Sequence, residues 1–265
     1  MLFRSGSFFA GGLVGFNDDG EIVSSYSTAD VTGQYCTGGL VGNNDGKSEK
    51  CYSSGQVNGD STAGGLVGVN NGVITQCYST SNVTGQTEVG GLVGTNWYAW
   101  IDNSYSIGEV SGNEYVGGLV GENGDHCRIK MCYSVSEVTG NNYTGGLTGY
   151  SDYWSSGITS SYYYKLNMNN DFGTPLDDFQ LQQRTSFEGF DFAGYTSDGT
   201  DDYWTIEPGY MPRLTYQQEP GFEVPITKIS TTLKGTGFPD DPFIISDLSD
   251  LHEFKDNNEL RIGYF

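Results

Sequence analysis

Apolar residues in this chain recur at fixed positions between glycines. A Gly-Gly-Leu-Val-Gly element begins at Gly11, Gly38, Gly64, Gly90 and Gly117, and a sixth copy with Thr in place of Val begins at Gly145. In most copies an Ile lies four residues before a Tyr, and a Val lies five residues after that Tyr. The spacing between copies is 26 to 28 residues. A fixed period of this size predicts a stack of structural repeats.

The residue types in each repeat indicate the architecture. Gly, Thr, Ser, Val and Tyr dominate, and they favour strands and turns over helices. Helical repeats need more than about 30 residues per unit, and propeller blades need about 40. We therefore predict an all-β fold, a parallel β-solenoid of about six coils over residues 1–165. Each coil is expected to have three short strands that pair in parallel with the next coil.

One coil per repeat would bring equivalent residues into rows along the solenoid. The leucine row should form an internal ladder, with a valine row as a second one and a tyrosine row as a stack of rings. The asparagine row should form a ladder of amide hydrogen bonds, although a metal or ligand stripe is the alternative interpretation. The leucine row is Leu13, Leu40, Leu66, Leu92, Leu119 and Leu147, and the asparagine row is Asn17, Asn44, Asn70, Asn96 and Asn123, ending at Ser151.

Differences in length between the copies fall in a single stretch of the repeat. Between the asparagine row and the Ile position, the number of intervening residues grows from three after Asn70 to six after Ser151. Paired strands cannot absorb insertions without losing register, whereas an outer loop can. Aromatic residues gather at this loop edge, where they would either bind a sugar or protein partner or pack on the C-terminal capping region. The candidate binding residues are Trp97, Tyr98, Trp100, Tyr153 and Trp154, with His126 and Arg128 as polar neighbours.

The order of these elements resembles a known motif. Gly-Leu-Val-Gly followed by Ile-x-x-Cys-Tyr-Ser and Val-Thr-Gly is similar to the GLUG motif of bacterial surface proteins, over about residues 10–165. Such proteins include adhesin-like proteins and the non-catalytic repeat region of IgA1-peptidase-type proteins. The resemblance implies a right-handed solenoid in a secreted or cell-surface module, without a catalytic centre in the repeats. The zinc motif of the peptidases, His-Glu-x-x-His, is not matched, because Phe254, Lys255 and Asp256 follow His252-Glu253.

The residues after the repeats suggest a region that ends the solenoid, followed by a linker and the start of a further segment. Thr174-Pro175 followed by two aspartates is typical of a helix start, so a short helix is expected through about Thr185. Residues 166–215 are predicted to form a mixed capping region that closes the open end of the solenoid. Residues 216–234 are interpreted as a linker, and residues 235–265 as the start of a further module or a segment donated to another subunit. Both a fragment of a longer array and a subunit of a head-to-tail fibre remain open.

Charge and hydropathy exclude several classes of partner. The chain has 33 acidic and 12 basic residues, a net charge of −21, which disfavours nucleic acid and anionic membranes. No apolar run of about 20 residues is present, so no membrane span is expected. No export signal is visible either, so an extracellular location would need a signal outside this chain.

The sequence carries few residues suited to catalysis or metal binding. His126 and His252 are far apart, and the acidic pairs lack the spaced ligands of a calcium loop, so we expect no catalytic residues, no metal and no cofactor. Cysteines alternate with serines at one repeat position, which favours small, core-facing free thiols. The spacing between adjacent coils would nevertheless permit a disulfide between Cys51 and Cys77.

These observations predict a function without enzymatic activity. We expect an extracellular structural or adhesive repeat protein of a bacterial-type cell surface. Its partners would be copies of itself joined head to tail, neighbouring modules of a longer chain, a carbohydrate or a host protein. The rival is a carbohydrate-active β-solenoid enzyme, which would need two carboxylates roughly 5–10 Å apart in a groove.

Overall fold

Six coils of parallel β-structure run from Phe3 to Tyr164 in the computed structural model. The structure describes residues 3–6, 8–152, 157–165, 172–195, 197–207 and 210–217, and the side chains of these residues from Phe8 onward. Each coil gives one strand to each of five parallel sheets, so the predicted solenoid of about six coils is confirmed. The expectation of three strands per coil is wrong, because additional corners divide the coil into five short strands.

One of these additional corners has a clear backbone cause. The residue two positions before each tyrosine of the repeat has a positive φ, between 45° and 53°, in all six coils. This left-handed conformation turns the chain between the Ile position and the Tyr position, so that the two positions lie on separate strands. The residues are Ser24, Lys50, Gln76, Asn103, Met131 and Ser160. None of them is glycine, which is why the sequence did not reveal this corner.

We name the sheets after the residues that mark them and number the coils from the valine-sheet strand that begins each one. The valine sheet comprises Phe3–Gly6, Asp30–Gly33, Gln56–Gly59, Asn82–Thr84, Glu109–Ser111 and Glu137–Thr139. The glycine sheet comprises Phe9–Gly11, Cys36–Gly38, Ala63–Gly64, Thr87–Gly90, Glu114–Gly117 and Asn142–Gly145. The asparagine sheet comprises Val14–Asn17, Val41–Asn44, Val67–Asn70, Val93–Asn96, Val120–Asn123 and Thr148–Ser151.

The remaining two parallel sheets follow the loop edge. The isoleucine sheet comprises Glu21–Val23, Lys47–Glu49, Val73–Thr75, Trp100–Asp102, Arg128–Lys130 and Gly157–Thr159. The tyrosine sheet comprises Tyr26–Ser27, Tyr52–Ser53, Tyr78–Ser79, Tyr105–Ser106, Tyr133–Ser134, Tyr162–Tyr164 and Thr174–Leu176. Its seventh strand comes from beyond the repeats.

Register is conserved from coil to coil, as the constant spacings predict. Asn70 of coil 3 pairs with Asn96 of coil 4, and Ile74 pairs with Ile101. Both pairs stay aligned although the stretch between Asn and Ile is one residue longer in coil 4 than in coil 3. The insertions therefore lie between the asparagine and isoleucine sheets, at the expected loop edge. The scaffold absorbs them without any shift of the paired strands.

The interior of the solenoid is filled by leucine, isoleucine and valine rows. Leu40, Leu66, Leu92, Leu119 and Leu147 are fully buried and belong to one continuous core. Burying each leucine side chain contributes about 1.5–3 kcal/mol relative to leaving it exposed. The predicted ladder is wrong for its first member, because 53% of Leu13 is exposed in coil 1.

In the central coils, the three glycines of the Gly-Gly-Leu-Val-Gly element are required by close approach of backbones. A Cβ on Gly65 would lie 2.1 Å from the carbonyl oxygen of Gly91, and one on Gly68 would lie 2.7 Å from the backbone nitrogen of Thr37. Neither residue has a positive φ. Tight packing, and not a left-handed backbone conformation, therefore explains glycine at these positions.

The region after the repeats differs from the sequence-based prediction. Thr174–Leu176 is a strand that pairs in parallel with Tyr162–Tyr164, and it is followed by two short 3-10 helices, Gln180–Gln182 and Arg184–Ser186. The expected helix through Thr185 is therefore wrong, since the Thr-Pro pair extends the tyrosine sheet instead of capping a helix. An antiparallel pair, Trp204–Thr205 with Arg213–Leu214, completes the region.

This C-terminal region lies along the side of the solenoid. Its aromatic and aliphatic residues form a second core with the tyrosine sheet, in which Tyr105 and Tyr133 are fully buried. At the end of coil 6, Tyr163 points into the first core where other coils have a small serine, and Gly173 lies beside Leu147. The aromatic stretch is thus mainly a lateral cover, and Tyr163 fills the interior at the end of the last coil.

Candidate binding surface

The asparagine row forms a continuous chain of amide hydrogen bonds inside the solenoid. The Asn44 Nδ2 donates to the Oδ1 of Asn70 over 2.8 Å, and the Asn70 Nδ2 donates to the Oδ1 of Asn96 over 2.9 Å. The same bond joins Asn17 to Asn44 and Asn96 to Asn123, and the Asn123 amide donates to Ser151. Because the amides form hydrogen bonds with their neighbours in the row and with nearby backbone carbonyls, this row acts as a structural ladder.

The tyrosine row forms a stack of rings that is covered over only part of its length. Centroids of adjacent rings from Tyr26 to Tyr133 lie 4.9–5.1 Å apart, with interplanar angles of 3–7°. The C-terminal region seals the far part of the stack, where the Trp204 Nε1 donates to Asn103 and the Tyr133 hydroxyl donates to the carbonyl of Pro212. Burial raises the pKa of Tyr105 and Tyr133 above the usual tyrosine value.

The cysteines of the repeat are buried free thiols. Cys51, Cys77 and Cys132 are fully buried, and no disulfide joins them. The backbone N–H of Cys51 donates to the Sγ of Cys77, and the backbone N–H of Cys77 donates to the hydroxyl of Ser104 in the next coil. Burial raises the pKa of the Cys77 and Cys132 thiols, so they lack the thiolate character of reactive cysteines. Serine substitutes at this position because its hydroxyl accepts the same hydrogen bond.

The loop edge of coils 4 and 5 carries an exposed aromatic surface, which we call the loop-edge platform: Trp97, Tyr98, Trp100, His126 and Arg128. Trp97, Tyr98 and Trp100 are 40%, 57% and 47% exposed. None of the three belongs to the core that the C-terminal region forms with the tyrosine sheet. Of the two arrangements that the sequence left open, these three rings therefore face solvent instead of packing on the capping region.

The rings of the platform contact one another and their polar neighbours. The Tyr98 centroid lies 5.7 Å from that of Trp97 and 5.3 Å from that of His126. The Arg128 guanidinium lies 4.5 Å from the Trp100 centroid and is ion-paired with Asp102. A cation on the ring face contributes about 0.5–1 kcal/mol at an exposed site. Contacts within the protein therefore order both the Trp97–Tyr98–His126 group and the Trp100–Arg128 pair without a bound partner.

Backbone contacts with the neighbouring coils hold the inserted residues in place. The backbone N–H of Trp97 donates to the carbonyl of Asn70, and that of Tyr98 donates to the carbonyl of Asp125. Tyr98 and His126 both have a positive φ. A Cβ on Gly124 would lie 2.1 Å from Cε3 of Trp97, so the indole ring packs directly on this glycine.

Two residues that support the platform were not predicted from the sequence. Gly124 and Asp102 support Trp97 and Arg128, but a single glycine or aspartate in a Gly- and Asp-rich chain gives no signal. Tyr153 and Trp154 lie outside the described residues. Within the described ranges, no three His, Cys, Asp or Glu side chains come together as metal ligands. No helix in the same part of the chain is long and apolar enough to cross a membrane.

Comparison with known proteins agrees with the geometry of the repeats. A search of curated proteins and a search of solved structures each returned no match. The model of one protein family, described as the GLUG motif, matches residues 7–32 and 112–139. The first match extends from the end of coil 1's valine-sheet strand into coil 2, and the second extends from coil 5 into coil 6. With six coils in register around the same glycine, asparagine and tyrosine rows, the chain is a repeat protein that carries the GLUG motif.

Proposed function

We propose that this protein is a non-enzymatic structural module of a bacterial-type cell surface that adheres to carbohydrate through the loop-edge platform. The observation that carries the proposal is the exposure of Trp97, Tyr98 and Trp100 on a rigid solenoid. Aromatic rings with polar neighbours stack on the apolar faces of sugars. Pre-ordering of the rings lowers the entropic cost of binding. The extracellular location rests on the GLUG resemblance.

A panel of soluble polysaccharides tests the adhesive part of this proposal. Binding is measured by quenching of tryptophan fluorescence and by affinity electrophoresis, with the wild type, Trp100→Ala and Tyr98→Ala. We expect at least one polysaccharide to bind and each substitution to weaken binding by about tenfold, which corresponds to about 1.4 kcal/mol. Tyr35→Ala removes an exposed tyrosine of the glycine-sheet region in coil 2 and should leave binding unchanged.

The same experiment separates this function from its rivals. Release of reducing ends from a bound polysaccharide would contradict the non-enzymatic part and favour the carbohydrate-active enzyme. Equal losses for Tyr35→Ala and Trp100→Ala would show that the platform is not the binding surface. Binding to a host protein, with no affinity for any polysaccharide, would contradict the assignment of carbohydrate.

Assembly into head-to-tail fibres or arrays is the second part of the proposed role. Support comes from coil 1, where Leu13 is 53% exposed although the leucines at the same position in the later coils are fully buried. At the other end Leu147 is already fully buried, so a copy stacking there would meet Tyr163 first. Sedimentation at rising protein concentration, followed by electron microscopy, tests this. Growth into filaments supports end-to-end joining, and a monomer at all concentrations contradicts self-assembly of this chain.

A further inference from the structure

A second outward surface lies where the glycine and asparagine sheets meet in coils 4 to 6. We call it the tyrosine–glutamate strip: Glu88, Tyr115 and Tyr143 on the glycine sheet, with Glu122 and Tyr150 on the asparagine sheet. The ring of Tyr115 stacks on that of Tyr143 at 5.0 Å, and Tyr150 lies 5.5 Å from Tyr115 and 5.9 Å from Tyr143. Tyr143 is 56% exposed, so one end of this ring cluster is open to solvent.

The carboxylates of the strip are placed beside these rings by the register of the sheets. Glu122 pairs with Tyr150 in the next coil and with Thr95 in the previous one. Thr95 donates its hydroxyl proton to the Glu88 carboxylate over 2.9 Å, and Thr62 donates to the same oxygen. Glu88 is therefore held in a fixed position, one coil away from Glu122.

Glu122 lacks a positive partner. Its side chain is half-buried, and within the described part of the chain it makes no hydrogen bond or ion pair. Burial, followed by the charges of Glu88 and Asp152, raises the pKa of its carboxyl above the usual value. The isoleucine sheet shows the opposite arrangement, because there Glu49 is paired with Lys47 and Asp102 with Arg128. The strip thus concentrates negative charge that no ion pair among the described residues neutralises.

The backbone of the strip is also unusual. Glu88, Tyr115 and Tyr143 have φ values of 55°, 55° and 50°, in three successive coils. A non-glycine residue keeps this left-handed conformation only where the surrounding structure enforces it. The glycine-sheet side of the strip therefore keeps one conformation over all three coils.

We infer that the tyrosine–glutamate strip binds arginine side chains of a basic protein segment. A guanidinium is planar, stacks on tyrosine faces and donates paired hydrogen bonds to a carboxylate. The strip offers both features side by side, with the exposed ring of Tyr143 stacked on the half-buried Tyr115, and with Glu122, which has no ion pair among the described residues. Lysine would satisfy the charge but would stack less well. This surface is distinct from the loop-edge platform, and the inference does not depend on carbohydrate binding there.

Fluorescence anisotropy with a labelled tetra-arginine peptide tests the inference at about 150 mM salt, where long-range attraction to the net charge is screened. We expect Glu122→Gln and Tyr143→Ala each to weaken binding by about fivefold or more. The matched control is Glu137→Gln, which removes the same charge from an exposed strand of the valine sheet and should change affinity less than twofold. Circular dichroism verifies that each variant is folded.

Three results would overturn the inference. Equal weakening by Glu137→Gln and Glu122→Gln would show attraction to net charge alone. Equal affinity for a tetra-citrulline peptide, which is neutral but similar in shape, would remove the role of the carboxylate. Tighter binding of tetra-lysine than of tetra-arginine would contradict guanidinium recognition. Trp100→Ala should leave the affinity for tetra-arginine unchanged, so failure of the carbohydrate proposal and failure of this one are distinguishable.

Discussion

Leu13 and Leu147 occupy the same repeat position in coil 1 and coil 6, yet 53% of Leu13 is exposed and Leu147 is fully buried. Leu13 does not belong to the core cluster of the leucine row, whereas Leu147 lies in that cluster with Tyr163 and has Gly173 beside it. The same leucine of the repeat is therefore expected to contribute differently to the free energy of unfolding in different coils. This difference provides matched pairs of substitutions.

Substitution of a central leucine should be far more costly than substitution of the first. Leu92→Ala removes a fully buried side chain with neighbours on both sides, and we expect it to lower the free energy of unfolding by about 2–5 kcal/mol. Leu13→Ala should lower it by less than about 1 kcal/mol. Urea denaturation followed by circular dichroism measures both. Equal losses would show that the leucine row does not form the core.

The asparagine ladder should be sensitive to a break at its centre. Asn70→Ala leaves the donor of Asn44 and the acceptor of Asn96 without their partner, and each buried unsatisfied group costs about 1–3 kcal/mol. We expect a loss of about 2–4 kcal/mol in urea denaturation. The adjacent Asn71 is exposed and bonds to Asp45 at the surface, so Asn71→Ala should cost less than about 1 kcal/mol. A tolerated Asn70→Ala would contradict a structural role for the ladder.

The third glycine of the repeated element should tolerate a methyl group only in coil 1. A Cβ on Gly68 would lie 2.6–2.8 Å from three backbone atoms of coil 2, whereas one on Gly15 would lie 3.1 Å from a single carbonyl oxygen. We expect Gly68→Ala to cost about 2–4 kcal/mol and Gly15→Ala about 1 kcal/mol or less. Thermal denaturation of both variants measures the difference. A harmless Gly68→Ala would contradict the close packing of the glycine and asparagine sheets.

Alkaline pH should weaken the attachment of the C-terminal region to the tyrosine stack. Burial raises the pKa of Tyr133, so its neutral form is favoured in the folded protein, while the unfolded phenol ionises near pH 10. The stability from this burial is complete below about pH 10 and is lost as the pH rises further. We expect Tyr133→Phe to reduce that loss by about 1.4 kcal/mol per pH unit above pH 10.

Urea denaturation between pH 8 and pH 11 measures this slope, with Tyr35→Phe as the control. Tyr35 is exposed on the solenoid and lies outside the core that contains Tyr133, so this variant controls for the loss of a phenol hydroxyl elsewhere in the protein. Identical slopes for the wild type and Tyr133→Phe would show that Tyr133 ionises freely in the folded state.

The repeats were predictable because the same constraint acts on every coil. A residue type that recurs at one position in six copies, such as the leucine or asparagine row, reports a row of contacts, and in-register pairing follows from the constant spacing. The loop edge was predictable for the converse reason, since insertions concentrate where no strand pairs. Agreement among copies supplied the information that an isolated segment would lack.

Features that occur once were not predictable in the same way. Thr174-Pro175 has the local chemistry of a helix start, but pairing with Tyr162–Tyr164 and burial of Leu176 outweigh this preference. Tyr163 takes the position that a serine occupies in the neighbouring coil, and its ring fills the interior beside Gly146. The tyrosine–glutamate strip combines neighbours from two sheets and three coils, and no motif in the sequence connects them.

The loop edge has a consequence for protein engineering. Coils 3, 4 and 5 accommodate stretches of different length between Asn70 and Ile74, Asn96 and Ile101, and Asn123 and Ile129 while the paired strands stay aligned. Foreign peptides grafted into the loops of successive coils would be displayed about 4.8 Å apart, at the spacing of the parallel strands. Such a scaffold would present a multivalent epitope at a spacing that is fixed by the backbone and is independent of the grafted sequence.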